Sequence, residues 1–338
     1  MAVIKGNAYG HGMMDCATAL SDADAFGVAR LSEATALREA GIDKPLVLLG
    51  GVFSRGDLDL AIELGASACI HSEEQISWLE SCSGSGLSVW VKIDTGMNRL
   101  GFRFEDAATA IARVQNCNSV ADVKVMTHFA NADDPGDQTT RMQIEKFKQV
   151  IDGFGGDVSI ANSAGLFGWA DALREFEDFA EAGRLWIRPG IALYGVSPLV
   201  GRSASELGLK AAMQFESRLI LVKPVLAGES VGYGGKWRSE RDSTLGIVAV
   251  GYGDGYTRYI PGGTPMIVNG RRVPVVGVIS MDLTVVDLGQ GATDRTGDTV
   301  ILWGDDLPVE TVAKYAGTVP YQLVTGVTHR EEPSYEDI

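Results

Sequence analysis

Cysteine is scarce and unevenly placed in this chain of 338 residues. Cys16, Cys69, Cys82 and Cys117 are the whole set, and none lies beyond Cys117. No two form a Cys-x-x-Cys pair, so the pattern encodes neither a disulfide framework nor a zinc cluster. Scattered reduced thiols point to a cytoplasmic protein, and no metal is expected. Positive charge is also short: 29 Lys and Arg against 44 Asp and Glu leave a net charge of −15. A surface of that sign repels phosphate backbones and anionic bilayers, which argues against nucleic-acid and membrane partners. No apolar run reaches the ~20 residues that a spanning helix needs. No basic stretch followed by an apolar segment opens the chain, as a secretory signal would require. No Gly-x-Gly-x-x-Gly follows the first strand, so the dinucleotide fingerprint is missing.

What remains is an ordinary soluble composition, 45% hydrophobic and 22% charged, in a chain longer than one core usually supports. Short apolar runs alternate with amphipathic stretches through the first part. The runs are Ala2–Lys5, Phe26–Ala29, Leu46–Gly50, Ala68–His71, Val89–Asp94, Val123–Phe129, Val158–Asn162 and Leu185–Arg188. Between them, Ser32–Ala40, Asp57–Leu64, Glu73–Ser81, Ala107–Gln115 and Gln143–Ile151 carry apolar residues at three- and four-residue spacing, the period of a helix. Eight strands alternating with helices predict a (β/α)8 TIM-like barrel, with an open doubly wound sheet as the alternative that the missing fingerprint speaks against. Beyond Leu199 the texture changes to short Val- and Ile-rich runs between glycine-bearing turns. Asn269-Gly270 there is a two-residue hairpin signal. The expectation is a barrel over 1–204 and a mostly β domain over 205–338, with one further helix near Val309–Ala316.

In such a barrel the functional groups sit at the C-terminal ends of the strands, with a phosphate commonly bound after the seventh and eighth. Lys5 ends the first predicted strand, Lys92 and Asp94 the fifth and His128 the sixth. Asn162 and Ser163 end the seventh, and Arg188 with Gly190 and Ile191 the eighth. A strand-end lysine can be desolvated and attack a carbonyl. Beside it, the Ser163 hydroxyl and the Gly190 and Ile191 N–H groups suit a phosphate. Together they suggest pyridoxal 5'-phosphate held on Lys5 as a Schiff base.

The residues carry a family resemblance. Ala2-Val3-Ile4-Lys5-Gly6-Asn7-Ala8-Tyr9-Gly10-His11-Gly12 resembles the cofactor-attachment signature of alanine racemases, with Gly6 where alanine is usual. The likeness continues in Val91–Gly101, Thr127–Ala130, Arg188–Gly195, Gly251–Tyr256 and Ser280-Met281-Asp282. These blocks span nearly the whole chain in the family's order.

The resemblance implies a pyridoxal-phosphate racemase of alanine that feeds peptidoglycan synthesis, working as a homodimer with shared sites. A racemase of serine or another small amino acid is the alternative. Lys5 is implied as cofactor anchor and one catalytic base, and Tyr252 as the opposite-face base, reached across the dimer. Inverting a carbon needs one acid/base group on each face. A phenol holds its proton tightly, so nearby positive charge is needed, and His128 and Arg188 are the candidates. Arg188 is implied to face the pyridine nitrogen, where a carboxylate would favour other chemistry such as decarboxylation. Tyr9, Ser163, Gly190 and Ile191 are implied at the phosphate, with His128 and Asn162 nearby. Arg99 and the Met281 N–H are implied at the substrate carboxylate. Lys92 matches a lysine that relatives carbamylate to hold Arg99, with Asp94 as a substitute anion. Three departures stand out. Relatives carry a strand and helix before the lysine motif, and without that strand the β domain is expected to show an unpaired edge. Gly6 and Asn98 replace commoner residues, with Gly6 expected to loosen the lysine turn. His329 stands where some relatives place a tyrosine on the phosphate.

Overall fold

The computed structural model describes residues 1–328, 330 and 333–335. The chain divides into two compact units. One holds Met1–Ala8, Met13–Leu193 and Pro198–Arg202, the other Tyr9–Gly12, Tyr194–Ser197 and Ser203–Ile338.

The first unit is built on parallel strands β1 (Ala2–Val3), β2 (Phe26–Val28), β3 (Leu46–Leu48), β4 (Ala66–Ile70) and β5 (Leu87–Asp94). A two-residue strand, β6 (Phe102–Arg103), pairs with the end of β5, and β7 (Val120–Met126), β8 (Val158–Asn162) and β9 (Leu185–Arg188) follow. Each principal strand pairs with its successor, and the Val3 N–H donates to the Pro189 carbonyl at 3.0 Å, drawing first and last together. The predicted (β/α)8 barrel is therefore the fold, nearly closed. Its strands read as continuous apolar runs because both faces are covered. Phe26, Leu46, Leu48, Val89 and Val91 are fully buried, each worth roughly 1.5–3 kcal/mol in removed apolar surface. Helices such as Arg55–Glu63 and Glu73–Glu80 begin on Ser54 and Ser72, whose hydroxyls accept from Asp57 and Gln75 N–H groups. Such caps satisfy donors that a helix start leaves open.

The second unit is a closed six-stranded antiparallel barrel. Its strands are β10 (Phe215–Val225), β13 (Ser243–Val248), β14 (Pro265–Val268), β15 (Arg271–Val276), β16 (Thr284–Asp287) and β17 (Thr299–Trp303), with a small ribbon of β11 (Ser230–Val231) and β12 (Trp237–Arg238) beside them. The order is β10-β13-β16-β15-β14-β17, closing on β10. The expected unpaired edge is not found. Eleven residues long, β10 bends at a register shift after Leu219, pairing with β17 through its first half and β13 through its second. Asn269 (φ 48°) and Gly270 (φ 75°) form the expected hairpin turn between β14 and β15. The helix Val309–Ala316 lies where it was predicted, and a second, Pro320–Thr325, follows it.

Candidate functional site

Lys5 stands just past β1, because the strand ends at Val3 and the chain then turns left-handed. Gly6, Asn7, Ala8 and Tyr9 have φ of 64°, 54°, 54° and 53°. That conformation costs an L-residue roughly 1–2 kcal/mol, so the run persists only where neighbours hold it. The Ala8 N–H donates to the Ile4 carbonyl at 2.8 Å, Asn7 Oδ1 accepts from the Met13 N–H at 2.8 Å, and the Gly6 N–H donates to Glu33 Oε1 at 2.6 Å. At φ 64° glycine is at ease. The departure expected to loosen this turn removes strain from it instead.

Around Lys5 the barrel gathers cations without carboxylate partners. Among the described residues Lys5, Lys92, Arg99 and Arg188 make no ion pair. Burial, then the charge of Arg99, lowers the Lys5 ammonium from its usual range, against a smaller opposing pull from Glu33. Lys92 is buried on β5 and lowered by desolvation and by Arg188, Arg99 and Lys5. Both amines are thereby biased toward the neutral, nucleophilic form.

Arg188 is 4% exposed, and burial lowers it to about 10, so it remains a cation near neutrality. Its Nη1 donates to Ser159 Oγ at 2.5 Å and its Nη2 to the Thr127 carbonyl at 2.6 Å and to His128 Nδ1 at 3.3 Å. Guanidinium only donates, so His128 Nδ1 accepts and its proton sits on Nε2. Burial and Arg188 push His128 well below its ordinary range. His128 is thus neutral, which corrects its expected role as a source of positive charge. Gln143, which the sequence reading passed over, fixes this edge: its Nε2 donates to the His128 carbonyl (3.0 Å) and Thr95 Oγ1 (3.2 Å), and its Oε1 accepts from the Ala130 N–H (2.8 Å).

Asn162 and Ser163 join β8 to a short helix. Asn162 Oδ1 caps it by accepting from the Gly165 N–H at 2.8 Å. Ser163 Oγ accepts from the Gly190 N–H at 2.8 Å and the Ala192 N–H at 3.3 Å, leaving its own proton to donate. Ile191 is buried beside them. Asp94 is committed elsewhere. Its Oδ1 accepts from the N–H groups of Gly96, Met97 and Asn98 at 2.9, 2.9 and 3.0 Å. The loop then returns so closely that a Cβ on Gly101 would lie 2.8 Å from the Asp94 nitrogen. Asp94 therefore shapes the loop that presents Arg99, and the expectation that it substitutes as the anion is corrected.

The second unit carries Tyr9, Tyr252 and Met281. Burial raises Tyr9 to about 12, and its ring packs on Tyr194 and Tyr321 at 5.2 and 6.1 Å. Tyr252 and Met281 lie on adjoining loops, with the Tyr252 N–H donating to the Ser280 carbonyl at 3.0 Å and the Gly253 N–H to Met281 at 2.8 Å. Arg330 spans both loops through Asp254 (3.2 Å) and Asp282 (2.7 Å). His329 lies outside the described residues. One tyrosine the sequence reading missed stands here as well. Tyr233 projects from the Gly232–Gly235 turn, 66% exposed against 37% for Tyr252, and the Arg258 guanidinium lies 6.0 Å from one ring centroid and 5.9 Å from the other. Its signal was the glycines on both sides, which read as an ordinary turn.

The alanine racemase N-terminal domain model matches residues 1–198, and the C-terminal domain model matches 212–335. The chain belongs to the alanine racemase family. An alanine racemase of Vibrio vulnificus is 48% identical, with 100% of this chain and 92% of the relative covered. One from Shewanella sediminis is 49% identical over 98% of the chain and 90% of its own length. The biosynthetic alanine racemase of Pseudomonas aeruginosa superposes with a TM-score of 0.93 at 40% identity, covering 100% of this chain and 92% of that one. The alanine racemase of Bartonella henselae, solved with covalently bound pyridoxal phosphate, gives 0.83 at 29% identity over 96% and 89%. Among the described residues no helix is long and apolar enough to cross a membrane.

Proposed function

We propose that this chain interconverts L- and D-alanine with pyridoxal 5'-phosphate as cofactor, in the cytoplasm, and so supplies D-alanine for peptidoglycan. The observation that carries the reading is Lys5, desolvated and lowered, in a cluster with a buried Arg188 where, among the described residues, neither makes an ion pair. The donor set fits the cofactor: an amine for its aldehyde, the Ser163 hydroxyl and the Ile191 N–H for its phosphate, and Arg188 for its ring nitrogen, while the Gly190 N–H orients Ser163 by donating to its Oγ. The resemblance adds Tyr9 at the phosphate. When bound, the cofactor supplies an electron sink for the bond to the α-hydrogen. A cation opposite the ring nitrogen keeps that sink shallow, which suits racemisation and disfavours decarboxylation. The serine alternative is not favoured, since the relatives are alanine racemases.

The chain's own groups divide the work. Lys5 Nζ takes or returns the proton on one face of the α-carbon. Arg99 grips the substrate carboxylate with the Met281 N–H of a second copy beside it. Lys92, driven toward its neutral form, attacks carbon dioxide through Nζ and loses a proton; the resulting carbamate neutralises and holds Arg99. His128 and Gln143 keep Arg188 in place. The opposite face needs a second base, supplied across a homodimer by a tyrosine of the second unit. The resemblance names Tyr252. Tyr233 is its rival, because a phenol that serves a partner's site must be open to solvent in the single chain, and Tyr233 is the more exposed of the two.

The test is an absorbance spectrum of the purified protein with and without each alanine enantiomer, followed by circular dichroism of the solution. A visible band and decay of optical rotation from both enantiomers are expected. Carbon dioxide release, or no change in rotation, would overturn the racemase reading.

A further inference from the structure

We propose that Arg258 is a positioning residue that sets the rings of Tyr233 and Tyr252 for proton transfer, an inference that rests on the racemase reading and deepens it. The two tyrosines come from different turns. Tyr233 lies between β11 and β12, with Gly232, Gly234 and Gly235 at φ of 73°, 72° and 55°; Tyr252 opens a short turn after β13. Both rings are exposed, Tyr233 at 66% and Tyr252 at 37%. What they share is the Arg258 guanidinium, within about 6 Å of both centroids, the distance at which a cation is held by a ring face. Arg258 is anchored in turn, its Nη1 donating to the Ile279 carbonyl at 3.2 Å. Among the described residues it has no carboxylate within ion-pair distance, so its charge stays directed at the rings. A planar, weakly hydrated guanidinium is suited to face two rings at once, which a lysine ammonium does less well. One cation shared by two ring faces thus restrains how each ring is turned.

The experiment compares holoenzyme carrying Arg258→Met or Arg258→Lys with the wild type, alone and combined with Tyr233→Phe and Tyr252→Phe. Wild-type racemisation is measured first; its absence would remove the racemase reading itself, separately from the role of Arg258. Given an active wild type, Arg258→Met is expected to lower kcat about ten-fold or more, with KM within about two-fold and the melting temperature unchanged. Arg258→Lys should recover part of that loss. The enantiomers are equal in energy, so kcat/KM must fall equally in both directions, but isotope effects are not so constrained. With α-deuterated substrates the effect should grow from one enantiomer and shrink from the other, because only one face is served by the phenol. In the background of whichever tyrosine acts as the base, Arg258→Met should add little further loss. Fully additive losses, or isotope effects that stay at wild-type values in both directions, would overturn the proposal. If Arg258→Met does not fold, Arg258→Lys carries the same cycle, and additivity there overturns it equally.

Discussion

The two units solve opposite problems. The first concentrates Lys5, Lys92, Arg188 and His128 in a desolvated setting where charge is costly and amines tend toward neutrality. The second displays Tyr233, Tyr252, Arg258 and Met281 on exposed turns. A buried amine becomes a nucleophile through its surroundings alone. The exposed rings are held by one shared guanidinium on the surface and not by burial. On the proposed reading, one half of the proton-transfer pair is thus tuned inside a single chain, and the other is left for assembly to complete.

The largest test of that contrast removes the buried side. Lys5→Ala should abolish the visible absorbance and lower racemisation by at least about 10⁴-fold; a spectrum unchanged from wild type would refute the anchor. On the exposed side, Tyr233→Phe and Tyr252→Phe should differ, one costing about 10²–10⁴-fold and the other under about ten-fold, with the cofactor band kept in both. Equal, small losses would break the two-base scheme. A third test uses pH. Because His128 is depressed in the folded state, the unfolded chain binds more protons between the folded value and its ordinary value of about 6.5. Stability should therefore be lost as pH falls through that window. His128→Gln should flatten the acid arm of melting temperature against pH, by a few degrees at most; an unchanged slope would show that the ring is not held neutral. The smallest effects concern left-handed backbone. Asn98 has φ 55°, so Asn98→Gly should stabilise by up to about 1 kcal/mol and Gly6→Ala should cost about as much, both read from thermal melts. The opposite signs would contradict the assigned strain.

Much of this was legible in the residues. Eight apolar runs broken by helical periods led to the barrel, and barrel geometry placed Lys5, His128, Ser163 and Arg188 at one set of strand ends. The left-handed turn was not legible, since only Gly6 hints at it and Asn7, Ala8 and Tyr9 are held by contacts made elsewhere in the chain. Asp94 looked like a free anion because sequence does not reveal that one oxygen serves three backbone donors. Gln143 resembles any polar helix residue until its amide is seen bridging Thr95, His128 and Ala130. Tyr233 was hidden by its own setting, for glycines around a tyrosine read as a turn and not as a mount.

The bond from the Val3 N–H to the Pro189 carbonyl has a further consequence. It lies along the seam of the barrel, where a two-residue strand is joined in the stitching by the Met1 amine, which donates to the Ile187 carbonyl at 3.2 Å. Amide exchange should start there, ahead of the long β5. Because Lys5 follows two residues later, a breath that opens the seam also displaces this proposed anchor. Heat should then release the proposed cofactor before the bulk of the molecule melts.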